Sequence, residues 1–262
     1  MITFAAFVPH TPLIIPSIGK ERLKKIPKTK QAMEQMSDDL YLNHPDVLVI
    51  ISSHTIAFEN SFSMNLHNDY LINFKEFGDL GTTKNFDPDL SLMDQIQRFL
   101  RKQNIPFTLN SDFILDYGSA VPLYLLTKQL SVPIIPISYS GLDPKAHFIF
   151  GKNLQECLQK TDKRVAVIAS GDLSHTLSAK APAGFHADGK IFDEAIRNIA
   201  LHVSSSKLLS FDPKIYKHAK QCAYEPLLIL LGILDGISIH AQELAYEHPF
   251  GVGYLSVEFQ LE

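Results

Sequence analysis

Three short apolar runs in this chain each lead straight into a histidine. Ile2–Val8 runs into Pro9-His10-Thr11-Pro12, Asp46–Ser52 into Ser53-His54, and Arg164–Ser170 into Gly171-Asp172-Leu173-Ser174-His175. The runs are brief and rich in β-branched residues, as strands buried inside an α/β sheet are; Pro133–Ser138 is another of the kind. In open α/β sheets, ligands bind beyond the carboxyl ends of the strands. Histidines at three such ends can therefore converge on one crevice. A lone strand-end histidine is usually a hydrogen-bonding loop residue. The repetition, with small residues beside two of the three, is what points to a shared site. Imidazole suits Fe, Zn and Cu, so the pattern reads as a transition-metal site.

Amphipathic stretches separate these runs, at about Lys20–Leu40, Asp89–Gln103, Val121–Leu130, Lys145–Gln159, Asp188–Val203 and His218–Leu234. Ile237–Glu247 and Gly251–Gln260 alternate as antiparallel strands do. The order predicts a single α/β domain over residues 1–262, with a central mixed sheet and helices on both faces. With 262 residues, 45% of them hydrophobic, the chain can bury one sizeable core. No repeat, low-complexity tract or linker divides it. Asn60–Pro88 is the least regular stretch and reads as a long loop or a β-hairpin over the site.

A net charge of -4 and the lack of a long basic run argue against nucleic acid as a partner. The basic stretch Lys20–Lys30 reads as a solvated helix face. Two cysteines, Cys157 and Cys222, are too few for a secreted disulfide scaffold, and a reducing cytoplasm is the expected location. The first residues lack the positive start of a signal peptide. The longest apolar runs, such as Pro226–Leu234, fall far short of a membrane span.

Gln221-Cys222-Ala223-Tyr224-Glu225-Pro226-Leu227 opens an apolar helical pattern. Glu225 suits a first-turn charge and Cys222 a small buried residue. Either could instead be a metal ligand. Two histidines and a carboxylate form the open triad of non-haem Fe(II) oxygenases.

Several motifs together resemble the LigB-like superfamily, which includes class III extradiol ring-cleavage dioxygenases and the Memo proteins. The likeness is to its stand-alone branch, related to the Memo proteins, and runs from residue 3 to about residue 256. Pro9-His10-Thr11-Pro12 is similar to that family's opening Pro-His-Pro-Pro, and Pro45-Asp46 through Ser53-His54 to its second strand. Ser170-Gly171-Asp172-Leu173-Ser174-His175 matches its Ser-Gly-Asp-Leu-Ser-His. Ala181–Phe185, Gly189–Asp193, Tyr246-Glu247 and Pro249–Tyr254 continue the match. The resemblance implies that His10 and His54 are metal ligands and that His175 is the acid–base residue. The third ligand is Glu225 or Cys222; a carboxylate fits Fe(II) better, and Memo-like members carry a cysteine there. Pro12, His186 and His248 are the expected substrate-side residues, and Phe58, Phe185 and Phe250 candidate pocket walls.

One departure concerns Asp116-Tyr117-Gly118, followed by Val121-Pro122-Leu123. The family usually reads Asp-His-Gly there, so Tyr117 stands where a histidine would meet substrate or oxygen. Tyrosine can donate a hydrogen bond but cannot become a cation near pH 7. The resemblance implies an Fe(II)-dependent extradiol dioxygenase acting on a catechol-type aromatic and O2, with Zn and Cu as alternative metals. The alternative is a Memo-like protein that binds a metal or small molecule without ring cleavage; a zinc hydrolase is a third reading. A homo-oligomer is left open as a further partnership.

Overall fold

The computed structural model describes residues 1–55 and 57–262. Strand β1 (Ile2–Val8) is followed by a short α1 (Pro16–Gly19), then α2 (Pro27–Asn43) and β2 (Val47–Ser52). Next come β3 (Phe62–Asn65), β4 (Tyr70–Phe74), β5 (Asp79–Phe86), α3 (Leu90–Lys102) and β6 (Phe107–Asn110). α4 (Tyr117–Leu126), β7 (Ile134–Ser138), α5 (Pro144–Gln159) and β8 (Val165–Ser170) lead to α6 (Ala187–Leu201), α7 (Ser205–Leu209) and α8 (Pro213–Ala219). α9 (Tyr224–Ile233), β9 (Ile239–Glu247) and β10 (Tyr254–Leu261) close the chain.

Eight strands form one sheet in the order β6-β3-β7-β2-β8-β1-β10-β9. The centre, β7-β2-β8-β1, is parallel. At one edge β10 runs antiparallel to β1, and β9 to β10. At the other, β3 runs antiparallel to β7 and parallel to β6. β4 and β5 form a separate hairpin.

Every residue of β2, β7 and β8 is buried, because both faces are covered. Successive side chains point to opposite faces. Val47, Val49 and Ile51 join one core with α3, α5, α6 and α9, while Leu48 and Ile50 join another with α2, α4 and the β4–β5 hairpin. Burying one such side chain contributes about 1.5–3 kcal/mol. The predicted mixed sheet with helices on both faces is the observed architecture. Among the described residues, no helix is long and apolar enough to cross a membrane.

The differences from the sequence reading have local causes. The helical pattern expected from Lys20 starts only at Pro27, which takes the first helical position; residues Lys20–Lys25 form a 3-10 turn. α4 begins at Tyr117 rather than Val121, because the Asp116 carboxylate caps it by accepting from Ser119 N–H at 3.1 Å. α9 begins at Tyr224, six residues later than the expected helix from His218, and α8 is a separate helix. Asn60–Pro88 contains both the hairpin and β3, a strand of the main sheet. Four residues with an alternating polar pair, Phe-Ser-Met-Asn, carry too little periodicity to be seen.

Candidate metal centre

The carboxyl ends of β1, β2 and β8 lie side by side, so His10, His54 and the Ser170–His175 segment meet at one edge of the sheet. His10 Nε2 is 3.0 Å from His54 Nε2 and 3.4 Å from Cys222 Sγ. The three donor atoms all lie within 4.8 Å of one another. A metal with bonds of 2.0–2.3 Å to nitrogen and sulfur needs ligand atoms about 3.3–3.6 Å apart in a tetrahedron, so the cluster fits an ion with little movement. Glu225 does not belong to it; its carboxyl is buried, and burial raises its pKa, partly offset by hydrogen bonding to its own N–H and to Gln221.

The orientation of His10 traces back to a proline. Pro122 lies inside α4 and has no N–H to offer the carbonyl four residues back, at Gly118. That carbonyl instead accepts from the buried Ser170 hydroxyl at 2.6 Å. With its proton spent there, Ser170 Oγ must accept at its other contact, 2.9 Å from His10 Nδ1. His10 is thus held as the Nδ1–H tautomer, and its Nε2 lone pair faces His54 and Cys222. Ordinary metal-bound histidines are oriented in this way by their second nitrogen. Burial, with a smaller contribution from His175, lowers the His10 pKa to about 3, so its 3.9 Å approach to Asp172 Oδ2 is not an ion pair. Burial likewise lowers His54 to about 4.

Two glycines bring the remaining parts together. At Gly118 a Cβ would sit 2.5 Å from Ser52 Oγ and 3.1 Å from His54 Cδ2, so only glycine lets the start of α4 lie on His54. At Gly171 a Cβ would sit 2.6 Å from Ala223 Cα and 2.9 Å from the Cys222 carbonyl, so glycine admits the segment that carries Cys222. Asp172 then ties the pieces. Its backbone N–H donates to Cys222 Sγ at 3.3 Å, its carbonyl accepts from Cys222 N–H at 3.1 Å, and its carboxylate accepts from His10 N–H at 3.0 Å. Burial raises the Asp172 carboxyl to about 6 and the Cys222 thiol to about 12. A bound cation displaces a thiol proton.

Tyr117 is the first residue of α4. Its ring stacks on His54 with centroids 4.2 Å apart, and its hydroxyl is 2.9 Å from His54 Nε2. Burial raises its phenol above the usual range, so it stays a neutral donor. The turn between β4 and β5 reaches this point, with Phe77 packing edge-on against Tyr117 at 5.4 Å. Beside the cluster is a cleft of about 470 Å³ that includes Tyr117, Asp172, His175, Pro12, Phe77 and Phe250. His175 is half-buried and anchored by its N–H to the Ala219 carbonyl at 2.8 Å; its buried Nδ1 makes no hydrogen bond among the described residues.

His186 and His248 are both exposed and do not line this cleft. His186 caps α6, and His248 lies 5.5 Å from the Tyr246 ring. Phe185 is 67% exposed, and Phe58 lies in a bridge to Ser140. Sequence reading missed Ser170 as an orienting group, Pro122 as its cause, and the Phe77 turn. A proline four residues after a glycine within one helical pattern, Gly118 and Pro122, is the signal that was available.

The family model for the catalytic LigB subunit of aromatic ring-opening dioxygenase matches residues 4–256. The chain belongs to the LigB family. A curated protein of Clostridium acetobutylicum is 27% identical to this LigB-family chain over 257 residues, which is 94% of the chain and 55% of the clostridial protein. The chain thus spans about half the length of that relative. A 4,5-DOPA dioxygenase extradiol of Mirabilis jalapa is 24% identical over 220 residues, covering 80% of this chain and 81% of the plant protein. The crystal structure of an uncharacterised protein from Escherichia coli superposes with a TM-score of 0.70 at 18% identity, covering 98% of this chain and 99% of the other. That likeness establishes the shared fold.

Proposed function

We propose that this LigB-family chain is a metal-dependent, dioxygenase-like oxidoreductase that takes a small aromatic of the catechol type and O2 in the cleft beside His175. The observation that carries the reading is the convergence of His10, His54 and Cys222 within 4.8 Å, next to a cleft that presents His175. His10 Nε2, His54 Nε2 and Cys222 Sγ would hold the ion. A bound ferrous ion supplies charge stabilisation and a template for both reactants. The chain's own groups supply the rest. His175 takes a proton from a substrate hydroxyl and returns it later, a two-way role that imidazole fills near neutral pH. Tyr117 donates a hydrogen bond from its neutral phenol. Pro12, Phe77 and Phe250 wall the ring and exclude water.

The presence of Cys222, rather than Glu225, beside the two imidazoles supports a second reading. Thiolate with imidazole selects Zn or Cu at least as well as Fe(II). A Memo-like protein that binds metal without cleaving rings would keep this donor set, and the neutral Tyr117 agrees with it. Elemental analysis of anaerobically purified protein, paired with oxygen uptake on catechols, separates the two. Iron with uptake supports the dioxygenase. Zinc or copper, and no uptake after loading with Fe(II), supports the binding protein.

A further inference from the structure

A second group of ligand-type side chains lies between α6 and α8. His186 is the residue before α6, Asp188 is in its first turn, and His218 is in the last turn of α8. One donor atom from each lies within 4.8 Å of the others. Asp188 Oδ2 is 2.6 Å from His218 Nδ1 and 3.6 Å from His186 Nδ1. The two imidazole rings are tilted by 34° at a centroid distance of 4.3 Å. None of the three residues lines the cleft beside His175.

We propose that His186, Asp188 and His218 form a separate, solvent-accessible site for a divalent transition metal of the zinc class, with water completing the coordination. The distances of 2.6 and 3.6 Å bracket the tetrahedral edge of about 3.4 Å that bonds near 2.1 Å give. Two imidazoles with one carboxylate favour Zn, Ni or Cu over the oxygen-seeking Mg and Ca. The ion takes the place of the proton between His218 Nδ1 and Asp188. It also displaces the 3.2 Å bond from Asp188 N–H to His186 Nδ1, a cap that the ion's own link across the helix start replaces. The negative end of the α8 dipole favours a cation there, and Asp188 offsets the positive end of α6. All three side chains are partly exposed, so the ion enters without unfolding.

The site touches the segment that carries His175. His186 N–H donates to the Thr176 carbonyl at 3.0 Å, and Ala219, next to His218, accepts from His175 N–H at 2.8 Å. An ion that ties α6 to α8 therefore braces this segment from both sides.

The test is zinc titration of the metal-free 262-residue chain by competition with a chromophoric chelator. Wild type is expected to bind two equivalents, and His10→Ala and His218→Ala one each. His186→Ala and Asp188→Asn should lose the same equivalent as His218→Ala. If the centre at His10 is wrong but this one is right, wild type binds one equivalent, His10→Ala one, and His218→Ala none. In the His10→Ala background zinc should raise the melting temperature, and adding His218→Ala should abolish that rise. Unchanged stoichiometry and affinity in His218→Ala, His186→Ala and Asp188→Asn overturn the proposal.

Discussion

Replacing Ser170 with alanine tests the chain of contacts from Pro122 to the metal centre. The hydroxyl is fully buried and serves two partners, the Gly118 carbonyl at 2.6 Å and His10 Nδ1 at 2.9 Å. Both lose their partner in Ser170→Ala. A buried group left unsatisfied costs about 1–3 kcal/mol, so with two such groups the variant should be destabilised by about 2–6 kcal/mol. His10 also loses the bond that fixes its tautomer, and metal affinity should fall about 10–100-fold. Pro122→Ala separates the two effects. It supplies the missing N–H to Gly118, and an interior proline is about 3 kcal/mol worse than alanine in a helix, so stability should hold or rise. Yet metal affinity should fall, because the freed Ser170 hydroxyl can now donate to Nδ1 and drive the proton to Nε2. Ser170→Ala should also cost less stability in the Pro122→Ala background, where Gly118 keeps a donor. Urea unfolding of the four proteins gives this coupling, and chelator competition gives the affinities. Additivity within about 0.5 kcal/mol, or wild-type metal affinity in both single variants, would refute the reasoning.

Cys222→Ser should weaken metal binding, while Glu225→Gln should leave it intact; the reverse ordering in metal analysis would move the third ligand to the carboxylate. If the chain cleaves catechols as proposed, His175→Ala should keep its metal and lower turnover by about 10²–10⁴-fold, and Tyr117→His should raise turnover by supplying a group that can carry charge near the oxygen; oxygen uptake reads both. Burial lifts the Asp193 carboxyl from 3.8 to about 7. The folded state therefore holds a proton that the unfolded chain has released between these values, and this group's contribution to stability is lost as pH rises through 7. Asp193→Asn should flatten that slope in melting-temperature profiles, and an unaltered slope would assign it elsewhere.

The central strands were legible because a strand covered on both faces must be apolar along its whole length, which leaves β1, β2, β7 and β8 as short unbroken runs. The histidines were legible for the same reason, since each follows such a run. β3 and β6 were not, because four residues at the sheet margin carry no such pattern. The choice between Cys222 and Glu225 was also out of reach. The two are three residues apart, and what separates them is the helix boundary. α9 starts at Tyr224, so Cys222 belongs to the irregular segment before it, where the missing side chain of Gly171 lets that backbone approach the end of β8. Glu225 is already within the helix, and its carboxyl turns back to Gln221, whose Oε1 accepts from Ala223 and Tyr224 N–H and so caps the helix start.

The same logic gives Tyr117 a structural reason as well as a chemical one. α4 must start against His54 for Gly118 to reach Ser170, and the side chain at position 117 is then laid flat on the His54 ring. An aromatic ring fills that place whether or not it titrates. Tyrosine thus preserves the packing that orients His54 while removing the ionisable nitrogen a histidine would bring. On the proposed function, metal retention and ring cleavage would therefore be separable at this position: exchange of Tyr117 for histidine would alter proton chemistry at the ion, and exchange for leucine, which cannot stack, would alter how His54 is held.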